Sequence, residues 1–209
     1  MGVIAREAGS PFQCGLVEFF FDFMSPYSYL ASTRVEAMVQ PAAVVWRPCF
    51  LPGILRATEN RGPAEIPAKL AHLMKDLNDW TEYLGLPPIR LPETVPFLAT
   101  QADRCALVAL DEGKGAAFIK AMFRAIWCEG RSASDAEVIA EVLTAAGLDA
   151  ASVLAQAATP ALKDRLKAAT EEAVARGAYG VPAFFIGEEL FMGNDRLDFV
   201  VRRLVKGAR

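Results

Sequence analysis

Three short segments of the sequence combine hydroxyl, proline and acidic residues in patterns that could do chemistry. The first is Ser25-Pro26-Tyr27-Ser28, which follows an apolar run ending at Met24. A serine followed by proline is typical of a helix N-cap with proline at the first helical position. Unpaired N–H groups and the positive end of the helix dipole meet at such a junction, so an anion is favoured there. The alternative is that Ser25 serves only as a cap.

The second and third segments lie near the end of the chain. Val181-Pro182 precedes an apolar strand pattern, and a proline at a strand start lacks the N–H that the ladder position would use. Asn194 and Asp195 place polar groups at the start of the last predicted helix. Taken singly, these are a strand-start proline and an ordinary cap. Together with the first segment they form a much more specific pattern.

Hydrophobic periodicity predicts the elements that position the first segment. Residues 15–23 alternate as a strand does, and a helix is expected from Pro26 to Gln40. A second strand at 43–47 completes a strand–helix–strand unit, the arrangement of right-handed parallel crossovers. Residues 48–66 are rich in proline and glycine and predict a structured loop.

The rest of the chain divides into a helical middle and an α/β end. Apolar spacing predicts helices at 67–84, 101–112, 115–128, 135–146 and 160–176. A hairpin at 183–192 and a terminal helix from about Asp195 follow. The predicted fold is α/β, interrupted by an all-helical insertion. Its parts are an irregular tail at 1–14, one domain formed by 15–50 and 178–209, and the insertion at 51–177.

The composition argues against several classes of protein. Hydrophobic residues make up 53% of the chain, enough for a substantial core, and 22 Lys+Arg against 25 Asp+Glu form no block of like charge. A nucleic-acid partner therefore has no electrostatic support. No stretch approaches the roughly 20 apolar residues of a membrane helix, and no signal peptide is recognisable. We expect a soluble, cytoplasmic protein without a membrane partner.

Metal and histidine chemistry are also disfavoured. The four cysteines, at 14, 49, 105 and 128, form no Cys-x-x-Cys pair, and with the single His72 they make a poor zinc set. No metal site is predicted. A Ser-His-Asp or Cys-His arrangement would have to use His72, which lies within a predicted helix with no nucleophile motif nearby.

The order of elements around the three segments resembles the thioredoxin fold. Redox members of that fold carry Cys-Pro-Tyr-Cys or a similar motif where residues 25–28 read Ser-Pro-Tyr-Ser. Without those thiols the site cannot exchange disulfides, because exchange needs a thiolate nucleophile. The resemblance also implies a cis peptide bond at Val181-Pro182, facing the same site. A cis bond before proline is energetically accessible.

Longer stretches resemble one group of that superfamily. Residues 21–32 (FDFMSPYSYLAS), 57–60 (ATEN) and 170–200 (TEEAVARGAYGVPAFFIGEELFMGNDRLDFV) are similar to the 2-hydroxychromene-2-carboxylate isomerases, which are related to kappa-class glutathione transferases. The resemblance covers about residues 15–205. It departs from the family at Glu59, where the family usually has glycine.

This resemblance implies glutathione as cofactor and gives the segments roles. Ser25 would stabilise the thiolate of glutathione, because a hydrogen bond to the anion lowers the pKa of a thiol. The backbone of Val181, beside Pro182, would pair with the tripeptide as a strand does. Asn194 and Asp195 would hold its γ-glutamyl end.

Further residues are expected at the glycyl end of glutathione or around a small aromatic carboxylate substrate. The candidates at the glycyl end, or for the substrate carboxylate, are Asn60 and Lys69. Further cations that could hold the carboxylate are Arg47, Arg56 and Arg104. Candidates to face an aromatic ring are Trp80, Tyr83 and Trp127. Surface ion pairs for the arginines and helix-core packing for the aromatics are the alternatives.

The implied reaction interconverts 2-hydroxychromene-2-carboxylate and trans-o-hydroxybenzylidenepyruvate through a reversible thiol adduct, and the implied assembly is a homodimer. Two other functions stay open. A kappa-class-like transferase or peroxidase would use the same thiolate site but consume glutathione. A non-catalytic thioredoxin-fold binding module would bind glutathione weakly or not at all.

Overall fold

The computed structural model describes residues 15–92 and 97–207; the tail predicted at 1–14 lies outside the described residues. Strands β1 (Leu16–Phe21), β2 (Ala43–Pro48), β3 (Ala183–Ile186) and β4 (Glu189–Met192) form one sheet in the spatial order β2-β1-β3-β4. β1 pairs in parallel with β2 and antiparallel with β3, and β3 and β4 form the predicted hairpin. The mixed sheet therefore joins the two ends of the chain.

The predicted helix from Pro26 to Gln40 is wrong in its continuity, because it is divided into α1 (Pro26–Ser32) and α2 (Val35–Val39). Ser32 Oγ donates to Tyr29 O at 2.7 Å and Thr33 Oγ1 donates to Leu30 O at 2.8 Å. Hydroxyls that bond to nearby carbonyls in this way favour helix ends over helix interiors. The break places Arg34 at the N-terminus of α2.

Between β2 and β3 the described residues form helices, single turns and loops. The helices are α3 (Leu51–Ala57), α4 (Pro67–Leu84), α5 (Thr100–Asp111), α6 (Gly115–Trp127), α7 (Ala136–Ala145), α8 (Ala150–Ala157) and α9 (Pro160–Ala175); α10 (Leu197–Gly207) ends the described chain. The structured loop predicted at 48–66 is wrong in part, because it contains α3, and α8 was not predicted. α3 begins with Leu51-Pro52, where proline is tolerated, and α8 is capped by Asp149, which accepts from Ser152 N.

β1 is buried on both faces, and its alternating side chains enter two hydrophobic clusters. Phe19 stacks on Phe184 with ring centroids 4.9 Å apart, within a core that extends into α5, α6 and α7. Phe20 points the other way, into a smaller cluster with Ile54 of α3 and Ala173 of α9. The helices between β2 and β3 and the sheet therefore share one main hydrophobic core. No helix among the described residues has the length and apolarity needed to span a membrane.

Candidate active site

The three segments singled out in the sequence converge on one cavity of about 1080 Å³. It lies where the loop after β1, the start of α3, α4 and the segments flanking the β3–β4 hairpin meet. Ser25, Val181, Pro182, Asn194 and Asp195 all line it. Segments separated by more than 150 residues in the sequence are therefore neighbours at one site.

Ser25 is both a helix cap and a cavity residue. Its backbone is extended (φ −93°, ψ 111°), and its Oγ accepts from Ser28 N at 3.1 Å, which is the geometry of an N-cap. The same Oγ donates to Val181 O at 3.2 Å. The hydroxyl hydrogen thus links the start of α1 to the residue before Pro182.

The Val181–Pro182 peptide bond is cis, as the resemblance implied. Pro182 O accepts from Gly193 N at 2.9 Å, which ties the segment after β4 to this loop. Among the described residues there is no acceptor for the N–H of Val181. Val181 itself lines the cavity, so this unpaired N–H lies close to the space that a ligand would occupy.

Arg34 fixes the segment that carries Asn194 and Asp195. One guanidinium nitrogen of Arg34 donates to both Asn194 O and Asn194 Oδ1, each at 2.8 Å. The guanidinium also lies over the ring of Trp80, 5.0 Å from its centroid. Asn194 is buried, while the carboxylate of Asp195 is exposed at the cavity wall.

Asn60 joins two loops at the cavity edge. Its Nδ2 donates to Tyr179 O at 2.9 Å, and its backbone N–H donates to Leu55 O. The preceding Glu59 has a positive φ of 53°, a conformation in which glycine is unstrained.

A second hydrogen-bonded pair lines the cavity at α1 and α4. Tyr27 Oη donates to Asp76 Oδ2 at 2.7 Å. Burial first, and then the hydrogen bond to Asp76, raise the pKa of Tyr27 well above its ordinary value. The phenol therefore remains a protonated donor at neutral pH. Leu73 and Trp80 of α4 line the cavity on either side of Asp76 in sequence.

Asp22 lies buried behind the site and holds two of its loops. Its Oδ1 accepts from Met24 N and its Oδ2 accepts from Leu51 N, both at 2.8 Å. Burial raises the pKa of Asp22 to about 6, although these hydrogen bonds act in the opposite direction. Asp103 is also fully buried and accepts from Phe23 N; burial and the nearby Asp22 raise its pKa well above the ordinary value.

Several candidate residues lie elsewhere. Lys69 is exposed on α4. Arg47 forms ion pairs with Glu18 and Glu172. Lys69 and Arg47 are both absent from the described residues that line the cavity. Trp127 is buried, and its Nε1 donates to Phe23 O at 3.0 Å.

The remaining candidates divide between the cavity and its surroundings. Tyr83 is 79% exposed, beside a shallow depression next to the cavity. Arg104 donates to Ala157 O, and among the described residues it is not part of the cavity lining. Arg56 and Trp80 do line the cavity.

Three site features escaped sequence reasoning: the Arg34 clamp, the Tyr27–Asp76 pair and the buried Asp22. A single arginine in a helix looks like a surface charge, and no spacing rule connects Tyr27 with Asp76. Asp22 did carry a signal. It interrupts an otherwise apolar run, and a charge at such a place needs hydrogen-bond partners.

Comparison with known proteins shows which families the chain resembles. The family model for the DSBA-like thioredoxin domain matches residues 16–205. The 2-hydroxychromene-2-carboxylate isomerase of Sphingobium xenophagum is 31% identical, over 88% of this chain and 95% of that protein. Glutathione S-transferase kappa 2 of Caenorhabditis elegans is 27% identical, over 87% of this chain and 88% of that protein.

A solved structure of a 2-hydroxychromene-2-carboxylate isomerase superimposes with a TM-score of 0.83 at 27% identity, covering 91% of this chain and 95% of that one. The predicted thioredoxin-like fold interrupted by helices is thereby confirmed. The chain belongs to the DSBA-like thioredoxin family and, within it, to the group of 2-hydroxychromene-2-carboxylate isomerases and their kappa-class glutathione transferase relatives.

Proposed function

We propose that the protein is a glutathione-dependent isomerase that interconverts 2-hydroxychromene-2-carboxylate and trans-o-hydroxybenzylidenepyruvate. The observation that supports this most is the convergence of Ser25, Val181-Pro182 and Asn194-Asp195 on one cavity. It occurs in a chain that is 31% identical to a protein named for that activity.

The cavity residues fit glutathione in chemistry and in size. The unpaired N–H of Val181 suits a peptide backbone, and the exposed carboxylate of Asp195, which pairs with Arg196 at 3.7 Å, suits an ammonium group. A volume of about 1080 Å³ exceeds what a small ligand needs and leaves room for a tripeptide and an aromatic acid together.

Bound glutathione would supply a thiolate that adds reversibly to the conjugated double bond, allows rotation there, and leaves again. Ser25 has the role of stabilising that anion, by turning its hydroxyl hydrogen from Val181 O toward the sulfur. Hydrogen bonds to charged acceptors are about twice as strong as neutral ones, so the exchange favours the thiolate. Trp80 offers a ring surface for the aromatic substrate, and Arg56 a cation for its carboxylate.

The direct test mixes the protein with 2-hydroxychromene-2-carboxylate and follows the ultraviolet spectrum with and without glutathione. We expect conversion to the trans pyruvate only when glutathione is present, with all glutathione recovered as free thiol. Net loss of thiol would favour the transferase alternative. Absence of both conversion and glutathione binding would favour the binding module.

The proposed role of Asp195 can be tested separately by calorimetry. Asp195→Asn should weaken glutathione binding by about tenfold, because a charge-assisted hydrogen bond contributes about 1.5–3 kcal/mol. It should change turnover at saturating glutathione much less. Asp198→Asn is the matched control, since Asp198 is exposed in the first turn of α10. Equal affinities for the two variants would remove Asp195 from the glutathione site.

A further inference from the structure

The Tyr27–Asp76 pair lies on the cavity wall, and the thiol chemistry proposed above leaves it without a role. Asp76 is half-buried, and its Oδ2 is occupied by the phenol of Tyr27. Among the described residues its Oδ1 receives no hydrogen bond, and no cation forms an ion pair with it. One carboxylate oxygen is therefore available to a molecule in the cavity.

The other carboxylates along the described cavity wall are less suitable as proton acceptors for a substrate. Glu65 accepts from Gly62 N at 3.2 Å and pairs with Arg61. Asp195 is exposed and stands where the ammonium group of glutathione is proposed to bind. Asp76 lies beside an aromatic surface, because Trp80 follows it by four residues on α4 and so shares its face.

Closed and open forms of the proposed substrate differ in one bond, between C2 and the ring oxygen, and in the position of one proton. In 2-hydroxychromene-2-carboxylate the double bond lies inside a ring that holds it cis, so rotation requires prior ring opening. Opening breaks the bond between C2 and the ring oxygen of a hemiketal. The C2 hydroxyl must lose a proton and the ring oxygen must gain one.

We propose that Asp76 is a catalytic residue that performs this proton transfer, and that Tyr27 is the residue that positions it; the proposal rests on the proposed function. Asp76 Oδ1 takes the proton of the C2 hydroxyl as the C2=O double bond forms. The bond from C2 to the ring oxygen breaks, and its electron pair stays on that oxygen. Asp76 then returns the proton there, giving the phenol. Both oxygens are attached to C2, so one carboxylate reaches both.

The test compares two substrates, only one of which carries the ortho oxygen that closes the ring. 2-Hydroxychromene-2-carboxylate needs ring opening, whereas the cis isomer of benzylidenepyruvate, which has no ortho hydroxyl, needs only rotation. Asp76→Asn should slow conversion of the chromene about 100-fold, a typical contribution of general acid–base catalysis. The same substitution should slow conversion of cis-benzylidenepyruvate by less than about threefold, because that reaction involves no proton transfer to a ring oxygen. Tyr27→Phe should show the same preference to a smaller extent.

Asp79→Asn is the matched control, because Asp79 is exposed on the same helix and pairs with Lys75. Calorimetry supplies a readout besides activity. The wild type should bind trans-o-hydroxybenzylidenepyruvate more tightly than trans-benzylidenepyruvate, and Asp76→Asn should abolish that difference while keeping glutathione affinity.

Equal slowing of both substrates by Asp76→Asn would overturn the proton-transfer role and leave the proposed function intact. Wild-type protein that converts neither substrate, although it binds glutathione, would overturn the proposed function and this role with it. Selective loss with the chromene, together with the lost binding preference, would support both.

Discussion

At the scale of single residues, the two hydrogen bonds of Ser25 correspond to two roles, a helix cap and a donor to a thiolate, which can be tested separately. The Oγ atom accepts from Ser28 N, which stabilises α1, and donates to the carbonyl oxygen of Val181, a residue that lines the cavity. A cap and a thiolate donor differ in what they contribute. A cap contributes to the free energy of unfolding, whereas a thiolate donor contributes to turnover.

Ser25→Ala should therefore lower turnover strongly while reducing the free energy of unfolding by about 1 kcal/mol, the usual loss for a removed cap. Thr159→Ala is the matched control, because Thr159 caps α9 through a bond from Leu162 N and lies outside the described cavity lining. Urea unfolding and steady-state rates measure the two effects. If both variants lose stability alike and neither loses turnover, Ser25 is only a cap.

Asp22 gives a pH dependence of stability whose sign follows from its environment. Its pKa is raised from 3.8 to about 6 in the folded protein, chiefly by burial. The folded state therefore holds the proton more tightly than the unfolded state does. The stabilising contribution is fully present below pH 3.8 and is lost as the pH rises through about 6.

We expect the stability advantage of wild type over Asp22→Asn to shrink by up to about 3 kcal/mol between pH 4 and 7. Taking the difference between the two proteins cancels most other titrating groups. Urea unfolding at several pH values in that range provides the measurement. An advantage that grows with pH would mean that the bonds from Met24 N and Leu51 N outweigh burial.

At the scale of elements, the site depends on how the start of α2 holds the turn before α10. Arg34→Met should release Asn194 and weaken glutathione binding about tenfold, since bonds from a charged donor contribute about 1.5–3 kcal/mol. Arg165→Met serves as control: it removes an exposed pair with Asp111, worth less than about 1 kcal/mol. Calorimetric titration with glutathione compares them. Unchanged affinity in Arg34→Met would show that the turn holds its shape without the clamp.

Much of the element order could be predicted from the sequence, because β1 and most of the helices have clear periodicity. The Val181-Pro182 loop could be placed beside Ser25 because the resembling fold has a proline there. The division between α1 and α2 could not be predicted, since the periodicity of apolar residues continues across it. The division depends on the hydrogen bonds that the hydroxyls of Ser32 and Thr33 donate to backbone carbonyls of the preceding turn.

The residues on the side of the cavity proposed for the aromatic substrate were harder to predict from sequence than those on the side proposed for glutathione. Trp80 and Trp127 both lie in amphipathic helices, and periodicity does not say which helix borders a cavity. Only packing places Trp80 at the wall and Trp127 in the core. Arg47 was likewise a plausible cation for the substrate carboxylate on sequence alone. In the fold it forms ion pairs with Glu18 and Glu172 instead.

At the scale of the whole molecule, the fold is the DSBA-like thioredoxin fold, but Ser25 and Ser28 occupy the positions where redox members of that fold carry cysteines. Cys49 and Cys105 are buried, and burial raises the pKa of each thiol, to about 12 for Cys105. Neither suits exchange chemistry, because the thiolate is the reactive form. The wild-type protein should show no measurable reduction of insulin.

The double variant S25C/S28C should gain insulin reduction, because it places two thiols three residues apart at the start of the same helix, as in a Cys-x-x-Cys motif. The single variant Ser25→Cys is the control, since one thiol cannot complete an intramolecular disulfide. Turbidity of insulin in the presence of dithiothreitol measures the gain. Inactivity of a folded double variant would show that the surroundings, as well as the missing thiols, have diverged from redox use.

The bond from Ser25 to Val181 O has a further consequence, for ligand selectivity. A ligand that draws the hydroxyl hydrogen away leaves that carbonyl without its donor, and only a strong acceptor compensates for the loss. An anionic sulfur does so, whereas the thioether of S-methylglutathione, a weak acceptor, does not. If glutathione binds here as proposed, the resting hydrogen bond would act as a threshold that disfavours alkylated forms of the tripeptide and favours the thiolate form.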